Sequence, residues 1–274
     1  MEMGLDEKYQ DLVSILRGHG RLAVAYSSGV DSTFLLYAAR QALGENVLAL
    51  TAVSEFFPGR EKEEAVLFCR QKGIRQVIVE FSPLLLEGVS KNPKDRCYLC
   101  KRALFTKFLA AAKEEGFITV CEGSNLDDMN DYRPGMKAVS ELGVLSPMRD
   151  AHLTKEDIRR LSRDFGLPTW DKPSFACLAS RFAYGEPITG ELLGMVEQAE
   201  ERLHLLGFTQ FRVRVVQSAV PGSRPSARIE IEPEQFELLT SEEVRSSVTR
   251  DLHALGFSYI SMDLDGYRMG SMNS

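Results

Sequence analysis

Arg21 to Ser32 reads RLAVAYSSGVDS, and the fold is decided here. Arg21–Ser27 is a short apolar run, the pattern of a buried strand. It stops at Ser27-Ser28-Gly29, and from Asp31 onward Phe34, Leu35, Ala38, Ala39 and Ala42 return at helical spacing. A strand that turns through small residues into a helix aims the helix's free N–H groups and positive dipole end at the turn. Phosphate suits that place, and Ser27 and Ser32 add hydroxyl donors. The loop is not a Walker A motif, which is longer and ends in Gly-Lys-Ser/Thr. On spacing alone it is equally a tight connection with Asp31 as a plain helix cap.

Working outward, the pattern repeats. Strands are expected at Val47–Ser54, Gln76–Phe81, Ile118–Glu122 and Val144–Met148, with helices at Gly59–Lys72, Arg96–Glu115 and Thr154–Phe165, the last capped by Thr154. Strands alternating with helices imply an α/β fold with a parallel sheet covered on both faces. The character changes after Pro168, where Thr169–Pro187 is rich in Pro, Ser and Gly. A helix at Thr189–Leu206, strands at Phe211–Val216 and Ala227–Ile231, a helix at Ser241–Leu255 and a strand at Tyr259–Leu264 follow. The expected organisation is an α/β domain over 1–187 and a smaller α+β domain over 188–274.

The 274 residues carry a net charge of −6, which argues against general nucleic-acid affinity. No apolar run approaches the roughly 20 residues that span a bilayer. Met1–Glu7 is acidic and polar, unlike a signal peptide, so a cytoplasmic protein without a membrane partner is expected. Five cysteines without a secretion signal do not suggest a disulfide framework. Cys97 and Cys100 stand three apart at a helix start, beside Arg96, Lys101 and Arg102, a setting that favours thiolate. That pair alone suits a redox couple, half a zinc site or half an iron–sulfur site. The four histidines (His19, His152, His204, His253) show no ligand spacing. Cys177 lies in the irregular stretch with Arg181 nearby, whereas Cys69 and Cys121 read as inert core.

Two polar groups remain. Arg212 and Arg214 share one strand face, as do Arg228 and Glu230, which suits either a solvated charged face or a grip on phosphate. Glu122–Asp128 follows a strand end, where ligands gather in open α/β sheets. Asp127, Asp128 and Asp131 are either an ordinary polar loop or groups that orient substrate or Mg²⁺, without individual assignment.

Ser27–Ser32 resembles the Ser-Gly-Gly-x-Asp-Ser signature of PP-loop ATPases, which split ATP to pyrophosphate while adenylating a substrate; Ser28 replaces the first glycine. A positive φ there would strain its Cβ. Adding Cys97-Tyr98-Leu99-Cys100, Asn130–Gly135, Cys177–Gly185 and Arg268–Gly270, nearly the whole chain is similar to LarE-type sulfur transferases. That resemblance implies ATP held by Ser27, Ser28, Gly29, Asp31 and Ser32 with Mg²⁺, and adenylation of a carboxylate of pyridinium-3,5-biscarboxylic acid mononucleotide. The carboxylate becomes a thiocarboxylate in nickel-pincer nucleotide biosynthesis. It implies either sacrifice of the Cys177 sulfur, leaving dehydroalanine, or a [4Fe-4S] cluster on Cys97, Cys100 and Cys177, and the trio here favours the cluster. Three thiolates leave one iron open to carry sulfide from an external sulfur donor. Arg181, Arg212, Arg214 and Arg268 become grips on the nucleotide substrate, and a homo-oligomer is expected. The rival readings are a tRNA-thiolating PP-loop enzyme, disfavoured by the acidic charge, an ammonia-using synthetase, which leaves the cysteines unexplained, and a non-catalytic sensor.

Overall fold

The computed structural model describes residues 4–130, 134–173, 175–217, 220 and 222–268. Asp131, Tyr132 and Arg133, Ser174, and Met269 and Gly270 of the motifs above lie outside the described residues. Two compact units form, one of 1–81 and 95–175, the other of 82–94 and 176–274. By compactness, residues 82–94 go with the C-terminal part of the chain.

The first unit runs α1 (Leu5–His19), β1 (Leu22–Ala25), α2 (Val30–Leu43), β2 (Val47–Val53), α3 (Gly59–Gln71), β3 (Arg75–Glu80), α4 (Arg96–Glu114), β4 (Val120–Cys121), α5 (Pro134–Glu141), α6 (Pro147–Asp150) and α7 (Lys155–Asp164). The four strands are parallel, in the order β3-β2-β1-β4. Alternate strand residues Leu22, Val24, Val47 and Ala49 join Leu12 and Leu16 of α1, Phe34 and Leu35 of α2, Phe68 of α3 and Ile158 of α7 in one core. The long helix α4 touches β2, β3 and β4 and covers the opposite face. The α/β fold with a covered parallel sheet is as expected, and Thr154 caps α7 through a capping box with Asp157.

One strand is corrected. Within Val144–Met148 only Leu145 pairs, in a single parallel bridge with Cys121. Pro147 has no N–H to give a ladder and its fixed φ starts α6 instead.

The second unit holds α8 (Gly190–Leu205), β5 (Phe211–Val216), β6 (Ser226–Ile231), α9 (Phe236–Thr240), α10 (Glu242–Ala254) and β7 (Ile260–Met262). Its sheet runs β5-β6-β7, antiparallel then parallel. Thr189 caps α8 by accepting from the Leu192 N–H. Asn92, fully buried and at φ +52°, donates to the carbonyls of Phe182 (3.2 Å) and Ala183 (2.7 Å), pinning the 82–94 stretch to this unit. No helix among the described residues is long and apolar enough to cross a membrane.

Candidate active site

The strand order places the site. From β1 the chain winds outward through β2 and β3, then returns to the other side of β1 as β4. The carboxyl ends of β1 and β4 therefore flank the point where winding reverses, the usual ligand position in open α/β sheets. Ser27–Ser32 leaves β1 there and Glu122–Asp128 leaves β4 there.

In the loop, Gly29 is the N-cap of α2 and the Thr33 N–H makes the first helical bond to its carbonyl at 3.0 Å. Asp31 is inside the first turn, not the cap. The Ser27 and Ser32 hydroxyls lie 3.2 Å apart, and Ser32 Oγ also accepts from the Ser27 N–H at 3.2 Å. Ser28 has φ +55° and is 1% exposed, so the residue that replaces the signature glycine does occupy the left-handed region. Its Oγ donates to Glu64 at 3.3 Å. Nucleotide phosphates fit this cradle by the chemistry of its donors: hydroxyls, small residues and a helix N-terminus.

The β4 side is built around carboxylates. Glu122 is buried and accepts from Ser124 N (3.1 Å), Ser124 Oγ (2.8 Å) and Ser146 Oγ (2.7 Å). Asp128 accepts from Asn125 N, and Asp127 from Lys155 N. Asn125 Nδ2 then reaches Asp31 at 3.3 Å, and the Lys155 ammonium pairs with the same carboxylate. Asp127 and Asp128 thus order the loop that meets Asp31. Gly123 touches the phosphate loop so closely that a Cβ would lie 3.1 Å from Ser32 N. Gly123→Ala is expected to push the Ser32 amide aside, costing about 1–2 kcal/mol of stability and weakening ATP binding. Titration calorimetry with ATP beside thermal melts checks both.

Cys97 and Cys100 sit in the first turn of α4, one turn apart and partly exposed, and Arg96 Nη2 lies 3.9 Å from Cys97 Sγ. Cys177 opens a short 3₁₀ turn, Leu178–Arg181, in the second unit. No three His, Cys, Asp or Glu side chains among the described residues are gathered as a metal centre. Cys69 and Cys121 are buried, as expected of core thiols. Burial pushes the Cys69 thiol up to about 12; it raises Cys121 further, with Glu122 adding to the effect. Alkylation of the native, metal-free protein near pH 8 is expected to label Cys97, Cys100 and Cys177 and spare the other two. Peptide mass spectrometry reads the pattern, and rapid labelling of Cys121 would contradict it.

The second unit gathers arginines, but not on a solvated face. Arg181 is 1% exposed and forks onto Glu200 at 2.8 and 2.7 Å. Its remaining Nη1 donates to the carbonyls of Ala176 (2.7 Å) and Cys177 (3.1 Å) and to Ser180 Oγ. Arg214, also buried, forks onto Glu230 and donates to the Ser180 carbonyl. Arg212 lies over the Tyr267 ring, 4.9 Å from its centroid, and burial, then repulsion from Arg181, pulls its guanidinium down to about 10. Arg268 stands apart, exposed and paired with Asp265 at 3.0 Å. Glu200, Lys155 and Lys172 were not singled out in the sequence. Lys155 and Lys172 meet Asp31 and Glu64 across 124 and 108 residues, and Glu200 meets Arg181 across 19; no local motif marks any of the three.

No family model matches the chain. It is 34% identical over 270 residues, 98% of this chain and 95% of the relative, to the pyridinium-3,5-bisthiocarboxylic acid mononucleotide synthase of Lactiplantibacillus plantarum. The chain belongs to this synthase family. The resemblance to LarE-type sulfur transferases therefore holds at the family level. An uncharacterized protein of Synechocystis is 38% identical over 98% of both chains. A glutamine-hydrolysing GMP synthase component of Methanococcus vannielii is 24% identical over 76% of this chain and 67% of its own length. The synthase-family chain is accordingly an ATP-dependent enzyme of the PP-loop class, with sulfur transfer as its chemistry.

Proposed function

We propose that this protein adenylates a carboxylate of pyridinium-3,5-biscarboxylic acid mononucleotide with ATP and converts it to the thiocarboxylate. The observation that carries the reading is 34% identity over nearly the full length to a synthase named for the bisthiocarboxylic acid, in a chain whose serine loop lies at the switch point of a parallel sheet. The carboxylate oxygen attacks the α-phosphorus and pyrophosphate leaves; a sulfur nucleophile then attacks the acyl carbon and AMP leaves. Adenylation turns a poor leaving group into a good one. Mg²⁺ enters with the nucleotide and offsets phosphate charge. Residues 1–187 are assigned the ATP chemistry and 188–274 substrate holding, in a homo-oligomer.

Arg212 and Arg214 are the proposed grips on the substrate phosphate, with the exposed Arg268 as a third. Arg181 is assigned to the same substrate site; its carbonyl contacts hold the Cys177 backbone as well. Sulfur is assigned to Cys177. In the finer reading Cys97, Cys100 and Cys177 hold a [4Fe-4S] cluster, two of the three being one turn apart on α4. Such a cluster supplies an iron able to carry an external sulfide. In the second reading Cys177 forms a thioester and its Cβ–S bond breaks by elimination, leaving dehydroalanine.

Protein purified without oxygen and mixed with ATP and the biscarboxylate separates these. Thiocarboxylate and pyrophosphate should appear together; pyrophosphate release that ignores the biscarboxylate would remove the substrate assignment. About four irons and four sulfides per chain, lost in Cys97→Ala and Cys100→Ala, would support the cluster. A single turnover with loss of one H₂S from the protein mass would support sacrifice.

A further inference from the structure

We propose that Lys172 is a phosphate-binding residue of the nucleotide site, its ammonium exchanging Glu64 for a phosphate oxygen when nucleotide binds. The inference rests on reading Ser27–Ser32 as that site. Lys172 Nζ donates to the Ser28 carbonyl at 3.1 Å, lies 3.5 Å from Ser28 Oγ, and pairs with Glu64 on α3. It comes from 144 residues along the chain to the loop residue held at positive φ.

The lysine's platform is fixed. Arg159 of α7 donates to the Trp170 carbonyl at 2.8 Å and to the Lys172 carbonyl at 2.9 Å, and the Lys172 N–H bonds the Thr169 carbonyl. Pro173 then restricts the backbone on the other side. A lysine so anchored delivers its charge to one place, although the stem itself stays adjustable. Glu64 is 48% exposed, so the ion pair is weak and easily given up. A phosphate at the α2 N-terminus is the stronger partner, since a doubly charged anion with several acceptors outcompetes one half-solvated carboxylate.

The rival explanation is mechanical, with the Lys172–Glu64 pair merely clamping Ser28. The two differ in sign at Glu64. A clamp loses function when either partner is removed. An exchanging lysine binds phosphate more readily once its carboxylate competitor is neutralised.

Calorimetric titration of the full chain with ATP, inorganic pyrophosphate and adenosine in magnesium buffer tests this. Lys172→Met is expected to weaken ATP and pyrophosphate by about tenfold or more, the loss of one charge-assisted contact, and to leave adenosine unchanged. Lys172→Arg should restore most of the affinity, and Glu64→Gln should bind both phosphates as well as wild type or more tightly. Wild-type affinity for pyrophosphate in Lys172→Met, or equal weakening in Glu64→Gln, overturns the proposal. Wild-type protein that binds pyrophosphate but not ATP removes the nucleotide reading and overturns the proposal as stated, leaving Lys172 a ligand of inorganic pyrophosphate alone; protein that binds ATP with full affinity in Lys172→Met overturns the proposal and leaves the nucleotide reading intact.

Discussion

Cys177→Ala protein is expected to release pyrophosphate in the presence of ATP and the biscarboxylate, yet make no thiocarboxylate. The reason lies in what holds the residue. Its backbone carbonyl accepts from Arg181 Nη1 and from the Ser180 N–H at 2.9 Å, so the turn is fixed through main-chain groups that alanine keeps. The partly exposed thiol can be removed at a stability cost of less than about 1 kcal/mol. Loss of product is then a loss of chemistry, not of fold. Product mass spectrometry beside a pyrophosphate assay and a thermal melt separates the two. Thiocarboxylate formed at the wild-type rate would move the sulfur step to another residue, whichever sulfur source operates.

Glu200→Ala is expected to cost about 3–5 kcal/mol, because it strands a buried guanidinium. Glu200 accepts both arms of the Arg181 fork and also the Val213 N–H at 2.9 Å, tying α8 to the Cys177 turn and to β5. Alanine leaves Arg181 charged inside the protein, with an unpaired strand amide beside it. Chemical denaturation should show a lower midpoint with an unchanged slope. Replacing both partners, as Arg181→Met with Glu200→Leu, should recover much of the loss, since no isolated charge remains. A double variant as unstable as Glu200→Ala would mean that the Val213 contact, not the ion pair, dominates.

Much of this architecture was legible because it rests on local signals. Leu22–Ala25 and Val47–Val53 are apolar runs that suit a covered parallel sheet, and Thr154 marks a helix start; its box with Asp157 emerges in the structure. Val144–Met148 fails as a strand because Pro147 has no N–H for a ladder, a harder constraint than apolar neighbours. Ser28 was readable as a conditional: serine for glycine strains the loop if φ is positive, and it is. The burial of Arg181, Arg212 and Arg214 was not readable, since alternation gives a common face but not what covers it. Glu200 and Lys172 were invisible for a related reason. Charged residues are placed by partners on other elements, which one sequence does not pair.

The excursion of residues 82–94 into the C-terminal unit has a consequence for synthesis. Asn92 leaves the ribosome before either of its carbonyl partners, Phe182 and Ala183, has been made. At roughly 5–20 residues per second, this buried amide waits several seconds in the nascent chain, while the sheet strands on either side of it, β3 and β4, are already available to pair. The C-terminal unit cannot close until its last hundred or so residues arrive to meet a fragment translated long before. A gene cut anywhere between the two would therefore deliver that unit without its pin, and a slow translation pause after residue 94 would lengthen the time for which the half-made protein exposes it.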